Sequence, residues 1–536
     1  MNRRSFLLGA GGAGLAAAST GAAYWRWQEV TPVVRYPGRA EGHWLRDRHA
    51  LPAPTETLET DVVILGSGVA GLTAAWKLAR EGHKKFLVVD GPQPDGNAAG
   101  GVFGNLAYPT GAHYLPLPST EAFHVREMLH DFGILQRNPA SLRPVYDERF
   151  LVHKPHERLL IDGAWQEGIV PRDGVPDAEL EEHQRFFAEM DRFRAARGSD
   201  GRRAFVVPSA LSSSDAAFRA LDTLTFKQWL LDNDYRAPSL HWYLDYCCRD
   251  DYGASHDQVS AWAGLHYFCS RTGEAENADP HAVLTWPNGL QPLATALGAA
   301  ATGKRQAGTV VSLKRTQRGV QAICFDLTDG KPHSFLVNAR KAICAMPLFV
   351  AARVVDGMAQ LGFDPQRDLP AYAPWMVANF LMDGFPDELP SAPLSWDNVV
   401  YRGRGLGYVV STHQDIRVAP PKQTVLSAYI PLADLAPTQA RKWMDTASPR
   451  DLLDLASSDL RAAYGGQFFR HARHAEITLR AHAMAVPRPG FTRNAGVRAL
   501  READGPLLFA HADLSGFSIF EEAAWWGYQA ALKSIS

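Results

Sequence analysis

The sequence predicts an α/β fold, because three patterns follow one another near its start. Residues 60–65 are a run of β-branched and apolar residues, typical of a strand buried in a parallel sheet. A glycine-rich turn over 66–71 follows, and residues 72–79 are helix formers at helical apolar spacing. A second apolar run, 86–89, ends at Asp90. Strand, turn, helix and strand in this order indicate the opening unit of a Rossmann-type domain.

The turn has the sequence G-x-G-x-x-G, which in this context binds the pyrophosphate of a dinucleotide. Gly66 permits the tight turn, Gly68 lets the backbone approach the pyrophosphate, and Gly71 lets the helix pack closely on the strand. The start of the helix supplies the anion site. The predicted cofactor-binding residues of the turn are Gly66, Ser67, Gly68, Val69, Ala70 and Gly71.

Asp90 closes the second strand, where a carboxylate accepts hydrogen bonds from the hydroxyls of the adenosine ribose. An acid here disfavours a 2′-phosphate and therefore NADP. The alternative is a glycine-rich turn in an unrelated α/β protein, but strand, helix and acid all stand at the spacing that the dinucleotide motif requires. The turn does not distinguish FAD from NAD, because both present the same adenosine and pyrophosphate.

The C-terminal part distinguishes the two cofactors. Residues 506–513 form an apolar run that ends in an acid, and Phe520-Glu-Glu-Ala follows. These segments resemble the flavin-containing amine oxidase superfamily, which includes protoporphyrinogen oxidase and phytoene desaturase-like enzymes. The resemblance runs from Thr60 to the end and implies FAD. Because no Cys lies after Cys344, the FAD is expected to be bound noncovalently. The resemblance also implies that Asp513 binds the ribityl chain and that the backbone N–H of Phe520 faces the flavin ring, where a helix N-terminus stabilises negative charge. His511 stands where the family has Gly.

Other segments occur in the family's order. Residues 309–313 resemble an accessory strand, which implies that the backbone of Val310 contacts the adenine. Gly100-Gly-Val resembles the family's G-G-R segment, so Gly101 is expected to approach the pyrophosphate closely. Val102 replaces the family's Arg, which leaves one pyrophosphate contact without its usual residue.

A chain of 536 residues is expected to form two packed domains. The predicted FAD-binding domain is discontinuous, and the remainder is a mixed α+β substrate domain, because it carries helical patterns at 179–197 and 226–232 and strand-like alternation over 394–430. The predicted segments are 55–115, 285–350 and 480–536 for the FAD-binding domain, and 116–284 and 351–479 for the substrate domain.

Three residues are candidates for catalysis at the junction of the two domains: His113, Trp396 and His482. A single Trp or His in such a position is more often a packed core residue than a catalyst. His113 is the strongest candidate, because Gly111-Ala-His-Tyr resembles a family segment that runs close to the isoalloxazine.

The N-terminus predicts export. Arg3-Arg4-Ser-Phe-Leu and the apolar run 7–23 resemble a twin-arginine signal, so residues 1–25 are a predicted signal segment and the protein is expected in the periplasm. The run is short and weakly apolar for a membrane span. No clean A-x-A site precedes Tyr24, so the alternative is an uncleaved segment that anchors the protein to the membrane. A cytoplasmic protein with a chance Arg pair is the other alternative.

Composition excludes several classes of partner. The 55 Lys and Arg against 57 Asp and Glu give a net charge of −2, so no nucleic-acid partner is expected. The five cysteines contain no CxxC pair, so neither a metal site nor a disulfide framework is expected.

The predicted function is an FAD-dependent oxidoreductase that oxidises a small organic substrate, with an amine favoured, by hydride transfer to flavin N5. The alternatives are a desaturase or isomerase acting on an apolar substrate, and a non-catalytic flavin-binding electron-transfer scaffold. A carboxylate pair near the flavin would indicate an amine, and an aliphatic tunnel an isoprenoid. Residues 375–381, which correspond to a stretch where many amine oxidases carry Lys, contain none, so a quinone or a carrier protein is a candidate electron acceptor.

Overall fold

The computed structural model describes residues 24, 27, 30–47, 51–328, 331–389, 391–416, 419 and 421–536. The predicted signal segment therefore lies outside the described residues, apart from Tyr24. Within the described ranges, no helix is both long enough and apolar enough to cross a membrane.

One sheet of seven strands carries the glycine-rich turn. Its strands in spatial order are Arg305–Gln306, Phe86–Val89, Glu56–Leu65, Lys331–Cys344, Gly319–Thr328 and Thr309–Thr316, with Leu507–Phe509 also paired to Lys331–Cys344. The strands around Glu56–Leu65 are parallel, whereas the last three in the spatial order form an antiparallel meander. A mixed sheet built on a parallel strand–turn–helix–strand unit confirms the predicted α/β class.

Two helices that pack on each other cover this sheet: Val69–Arg80, which follows the turn, and the C-terminal helix Phe520–Ile535. A Cβ added at Gly527 would lie 2.1 Å from the carbonyl oxygen of Ala70, so the helices cross where one of them has no side chain. This contact brings the end of the chain against the helix that begins at the glycine-rich turn.

A second sheet of eight strands forms the other half of the molecule. Its strands in spatial order are Val33–Arg35, Ala472–Val486, Ala371–Asp383, Gln423–Pro431, Tyr408–Val410, Asp397–Val400, Glu157–Ile161 and Ala164–Glu167. Ala472–Val486 pairs with this sheet along most of its length. The chain therefore leaves the second sheet after Val486 and not at residue 480, where the last FAD-binding segment was predicted to begin.

Helices cover both faces of the second sheet, and side chains alternate between the two layers along each strand. Trp375 and Val377 face one layer, and Met376 and Phe380 face the other together with Trp27. The first layer contains Asp177–Ala195, Ala216–Ala220, Phe226–Asp232, Pro238–Tyr252 and Ala261–Ser270. The second contains Pro437–Thr446, Pro449–Ala456, Ser458–Tyr464 and Gly466–His471.

The remaining elements connect the two halves. The short strand pairs are Gly100–Phe103 with Leu106–Pro109, Tyr114–Pro116 with Val283–Thr285, and Leu135–Arg137 with Val145–Tyr146. The other α-helices are Arg39–Asp47, Phe123–Asp131, Gln291–Ala299, Leu348–Val354, Pro365–Asp368 and Ala495–Glu502.

Candidate active site

A cavity of about 1070 Å³ lies at the glycine-rich turn. Residues from both ends of the chain line it, so the segments assigned to the two ends of a dinucleotide surround one space. The sequence-predicted residues on its wall are Gly66, Ser67, Gly68, Val69, Ala70, Asp90, Val310, His482, Asp513 and Phe520.

The geometry of the turn suits an anion. Gly66 has φ +111°, which favours glycine, and its N–H donates to the carbonyl of Val89 at 2.8 Å. A Cβ added at Gly71 would lie 1.9 Å from the carbonyl oxygen of Gly66. At Gly68 an added Cβ would meet no atom closer than 4.0 Å, so this residue faces open space in the cavity. The helix begins at Val69, and its first amides lack intrahelical acceptors and point toward that space.

Asp90 lies beside the turn, and its Oδ1 accepts from the Arg305 guanidinium at 2.7 Å. Arg305 also donates to the hydroxyl of Ser67 at 3.4 Å. The sequence did not predict Arg305, because it comes from a two-residue strand more than 200 positions away. The ion pair holds the Asp90 carboxylate at the cavity wall.

Asp513 is 3% exposed and lines the same cavity. It accepts from the backbone N–H of Leu348 at 2.8 Å and from the Tyr372 hydroxyl at 2.6 Å. Burial alone would raise the pKa of Asp513, but His511 and these hydrogen bonds bring it below its ordinary value, so the carboxylate is ionised. His511 has φ −156°, an extended backbone that any residue adopts, so this position does not need the family's Gly.

A second cavity of about 560 Å³ lies directly beside the first. Ala112 lines the first cavity and His113 lines the second, so two consecutive residues form part of the wall between them. Aromatic side chains and carboxylates dominate the second cavity. Its aromatic residues are Tyr114, Phe187, Tyr243, Tyr246, Tyr267, Phe268, Trp396 and Tyr429, and its carboxylates are Asp191, which pairs with Arg194, and three others, Glu157, Asp250 and Asp397.

These three carboxylates carry no ion pair among the described residues. Burial raises the pKa of Asp250 to about 7, and the neighbouring charge of Asp251 adds to the shift. Burial and the charges of Glu157 and Asp250 raise the pKa of Asp397 well above its ordinary value, and burial raises that of Glu157. Two arginines also line this cavity, but Arg194 binds Asp191 at 2.5 Å and Arg271 binds Asp251 at 2.7 Å. The cavity therefore favours a ligand that brings positive charge to the carboxylates.

Two of the three catalytic candidates meet in this second cavity. The ring of His113 lies 5.5 Å from that of Trp396 and 4.3 Å from that of Tyr429. Burial lowers the pKa of His113 to about 3, so its imidazole is neutral at physiological pH. His482 lies elsewhere: it lines the first cavity and stacks on Phe349 with ring centroids 4.6 Å apart.

Gly101 departs from its expected place. It lines neither cavity, and a Cβ added there would lie 2.5 Å from the ring of Tyr108. The structure thus explains this glycine by the packing of a hairpin and not by an approach to a phosphate. Its neighbour Val102 is 64% exposed.

Sequence reasoning missed Glu157 and Asp250, which come from a strand of the second sheet and from a helix packed on that sheet. Asp397 directly follows the candidate Trp396, and this position was the one sequence feature that could have identified Asp397 as a site residue. The five cysteines are free and buried, and no cluster of metal-ligating side chains occurs in the described part of the chain.

Comparisons with known proteins agree with this geometry. A family model described as an NAD(P)-binding Rossmann-like domain matches residues 64–132. A solved putrescine oxidase bound to putrescine has a TM-score of 0.63 at 16% identity, covering 89% of this chain and 99% of its own. The chain has the flavin amine oxidase fold. A cyclohexylamine oxidase from Brevibacterium oxydans gives a TM-score of 0.60 at 17% identity, covering 89% of this chain and 98% of its own.

The same fold also occurs with a different named chemistry. A CLA-producing fatty acid isomerase from P. acnes has a TM-score of 0.56 at 15% identity, covering 88% of this chain and 97% of its own. No curated protein matches the sequence. The fold therefore does not determine the substrate. The residues that line the second cavity are the evidence that bears on it.

Proposed function

We propose that this protein is an FAD-dependent oxidoreductase that oxidises an amine. One observation carries the proposal: three carboxylates without ion pairs line an aromatic cavity that adjoins the dinucleotide cavity at Ala112 and His113. A cation is the ligand that such a lining recognises, since carboxylates bind it by charge and aromatic faces by cation–π attraction.

The residues of the first cavity suit FAD. The amides after Gly68 would hold the pyrophosphate, Asp90 the ribose, the backbone at Val310 the adenine, and Asp513 and Phe520 the flavin end. When bound, FAD supplies the hydride acceptor for the substrate C–H bond. Noncovalent binding is proposed, because no Cys lies after Cys344 in the sequence.

The protonation state of each amino group determines which residues of the second cavity would contact it. An ammonium group has no lone pair to assist loss of hydride from the neighbouring carbon, so the reacting nitrogen has to be neutral. The rings of His113, Trp396 and Tyr429 provide a desolvated wall that disfavours the charged form. Asp250 and Asp397 line the same cavity and would hold a second ammonium. A substrate with two amino groups satisfies both requirements.

A desaturase or isomerase acting on an aliphatic chain is the alternative that the isomerase fold relative raises. Three carboxyl groups in the cavity would then be buried against hydrocarbon without a cation, which costs free energy. The aromatic and acidic lining therefore favours an amine.

The electron acceptor and the location belong to the same proposal. A quinone or a carrier protein is the proposed acceptor, and the strand that contains residues 375–381 offers no Lys. The Arg3-Arg4 pair supports export to the periplasm. If the signal segment is not cleaved, it would anchor the protein to the membrane.

Anaerobic reduction of the purified protein tests the function. Diamines, monoamines and amino acids are added under anaerobic conditions. The corresponding alcohols serve as uncharged controls and the corresponding fatty acids as anionic controls. We expect a yellow protein whose flavin absorbance is bleached by diamines and not by alcohols of the same length. A flavin that fatty acids or alcohols reduce and amines do not would refute the amine, and a colourless folded protein would refute the flavoenzyme.

A further inference from the structure

Arg480 is a buried cation in the wall of the first cavity. It is 9% exposed, and among the described residues no carboxylate forms an ion pair with it. One terminal nitrogen donates to Oε1 of Gln93 at 2.8 Å and the other to the carbonyl of Thr110 at 3.1 Å, while Nε has no partner. Burial lowers the pKa of Arg480 to about 10, so it remains charged at neutral pH. A buried charge with only neutral partners is unfavourable unless a ligand completes the site.

Three of the four acids on the same wall already have partners: Asp90 binds Arg305, Asp445 binds Arg39, and Asp513 accepts from Leu348 and Tyr372. The fourth, Glu41, forms no ion pair with Arg480 among the described residues. The anion that Arg480 lacks is therefore expected from a ligand.

The contacts of Arg480 place it at the phosphate end of the cavity. Gln93, which accepts from Arg480, donates from Nε2 to the carbonyl of Gly96 at 2.8 Å. A Cβ added at Gly96 would lie 3.2 Å from the Cα of Gly68, the residue at which the glycine turn meets the helix. Asn97 continues this segment and donates to the carbonyl of Ala483 at 2.9 Å, so the Arg480 strand is docked against the turn.

We propose that Arg480 binds the pyrophosphate of FAD and supplies the positive charge that the family's Arg provides at the position of Val102. This inference rests on the proposed use of FAD. Val102 is exposed and offers no charge, whereas Arg480 reaches the turn from the second sheet, 378 positions later in the sequence. A guanidinium suits a phosphate because its N–H groups form a planar fork. FAD would then connect the two sheets through its phosphates.

Binding measurements test this role without using catalysis. Apoprotein from wild type, Arg480→Met and Arg480→Lys is titrated with FAD and with riboflavin, which has no phosphate. We expect the Kd for FAD to rise at least about tenfold in Arg480→Met and less in Arg480→Lys, which keeps the charge but loses the fork. The Kd for riboflavin should not change. Arg473→Met is the matched control, because Arg473 lies on the same strand, pairs with Asp383 and is outside the cavity.

The outcomes separate this inference from the proposed function. A wild type that binds FAD with the same affinity as a folded Arg480→Met refutes the role of Arg480 alone. Equal loss of FAD and riboflavin in Arg480→Lys would show a structural role and also refute it. A wild type that binds no flavin refutes the proposed function itself. If Arg480→Met does not fold, the FAD-to-riboflavin comparison in Arg480→Lys decides.

Discussion

Ala112 and His113 are consecutive residues, yet Ala112 lines the first cavity, at the glycine-rich turn, and His113 lines the second, aromatic cavity. The carbonyl of His113 accepts from the hydroxyl of Thr285 at 2.9 Å, and its ring packs on Tyr429. The backbone at this point therefore has little freedom. This fixed pair of residues sets where a substrate in one cavity would meet a cofactor in the other.

His113→Ala should slow flavin reduction by the amine about tenfold or more while the protein keeps its FAD, because the ring orients substrate and does not line the cofactor cavity. Stopped-flow reduction under anaerobic conditions gives the rate, and the absorption spectrum gives the flavin content. Loss of all flavin in this variant would assign His113 a structural role instead.

If Asp250 binds the substrate as proposed, it should impose a pH dependence on that binding. Its pKa is raised to about 7, so the carboxyl is neutral below that pH and ionised above it. Because the ionised form binds an ammonium, kcat/KM for a diamine should increase as the pH rises through about 7. Asp250→Asn should lower kcat/KM and remove this increase. The exposed Asp504→Asn is the control, and an unchanged profile in Asp250→Asn would contradict the assignment.

Gly68→Val should abolish flavin retention, because its side chain would fill the space in which the turn faces the phosphates. The flavin content of the purified protein measures this. Gly505→Val is a matched control, since an added Cβ there meets no atom within 4 Å and the backbone is not left-handed. Normal flavin in Gly68→Val would place the cofactor elsewhere.

Asp90→Ala should weaken FAD binding by about tenfold or more, the cost of hydrogen bonds from a carboxylate to ribose hydroxyls. Titration of the apoprotein with FAD gives the Kd. Because Arg305 loses its partner as well, Arg305→Met is measured beside it. An Asp90→Ala variant with wild-type affinity would remove Asp90 from the site.

Much of the dinucleotide cavity was predictable, because the turn and its helix are encoded in consecutive residues. Gly66 to Ala70, Asp90, Val310, Asp513 and Phe520 line one space, as their motifs predict. Local patterns also located the helix Phe226–Asp232 and the strands after residue 394.

The substrate side was not predictable in the same way. Glu157, Asp250 and Asp397 come together only when a strand pairing and a helix packed on the second sheet are formed, and no spacing in the sequence records this. His482 illustrates the reverse case, since it was a catalytic candidate at the domain junction but stacks on Phe349 in the first cavity. Gly101 was assigned by resemblance, and the packing of Tyr108 explains it instead.

A crystal structure of the FAD-loaded protein would show whether one dinucleotide extends from the glycine turn to the C-terminal helix. We expect the pyrophosphate at Gly68, the flavin ring at Phe520 and the reactive face of that ring toward His113. Density for the nucleotide outside this cavity, or with the flavin at Asp90 and the adenine at Phe520, would refute this placement.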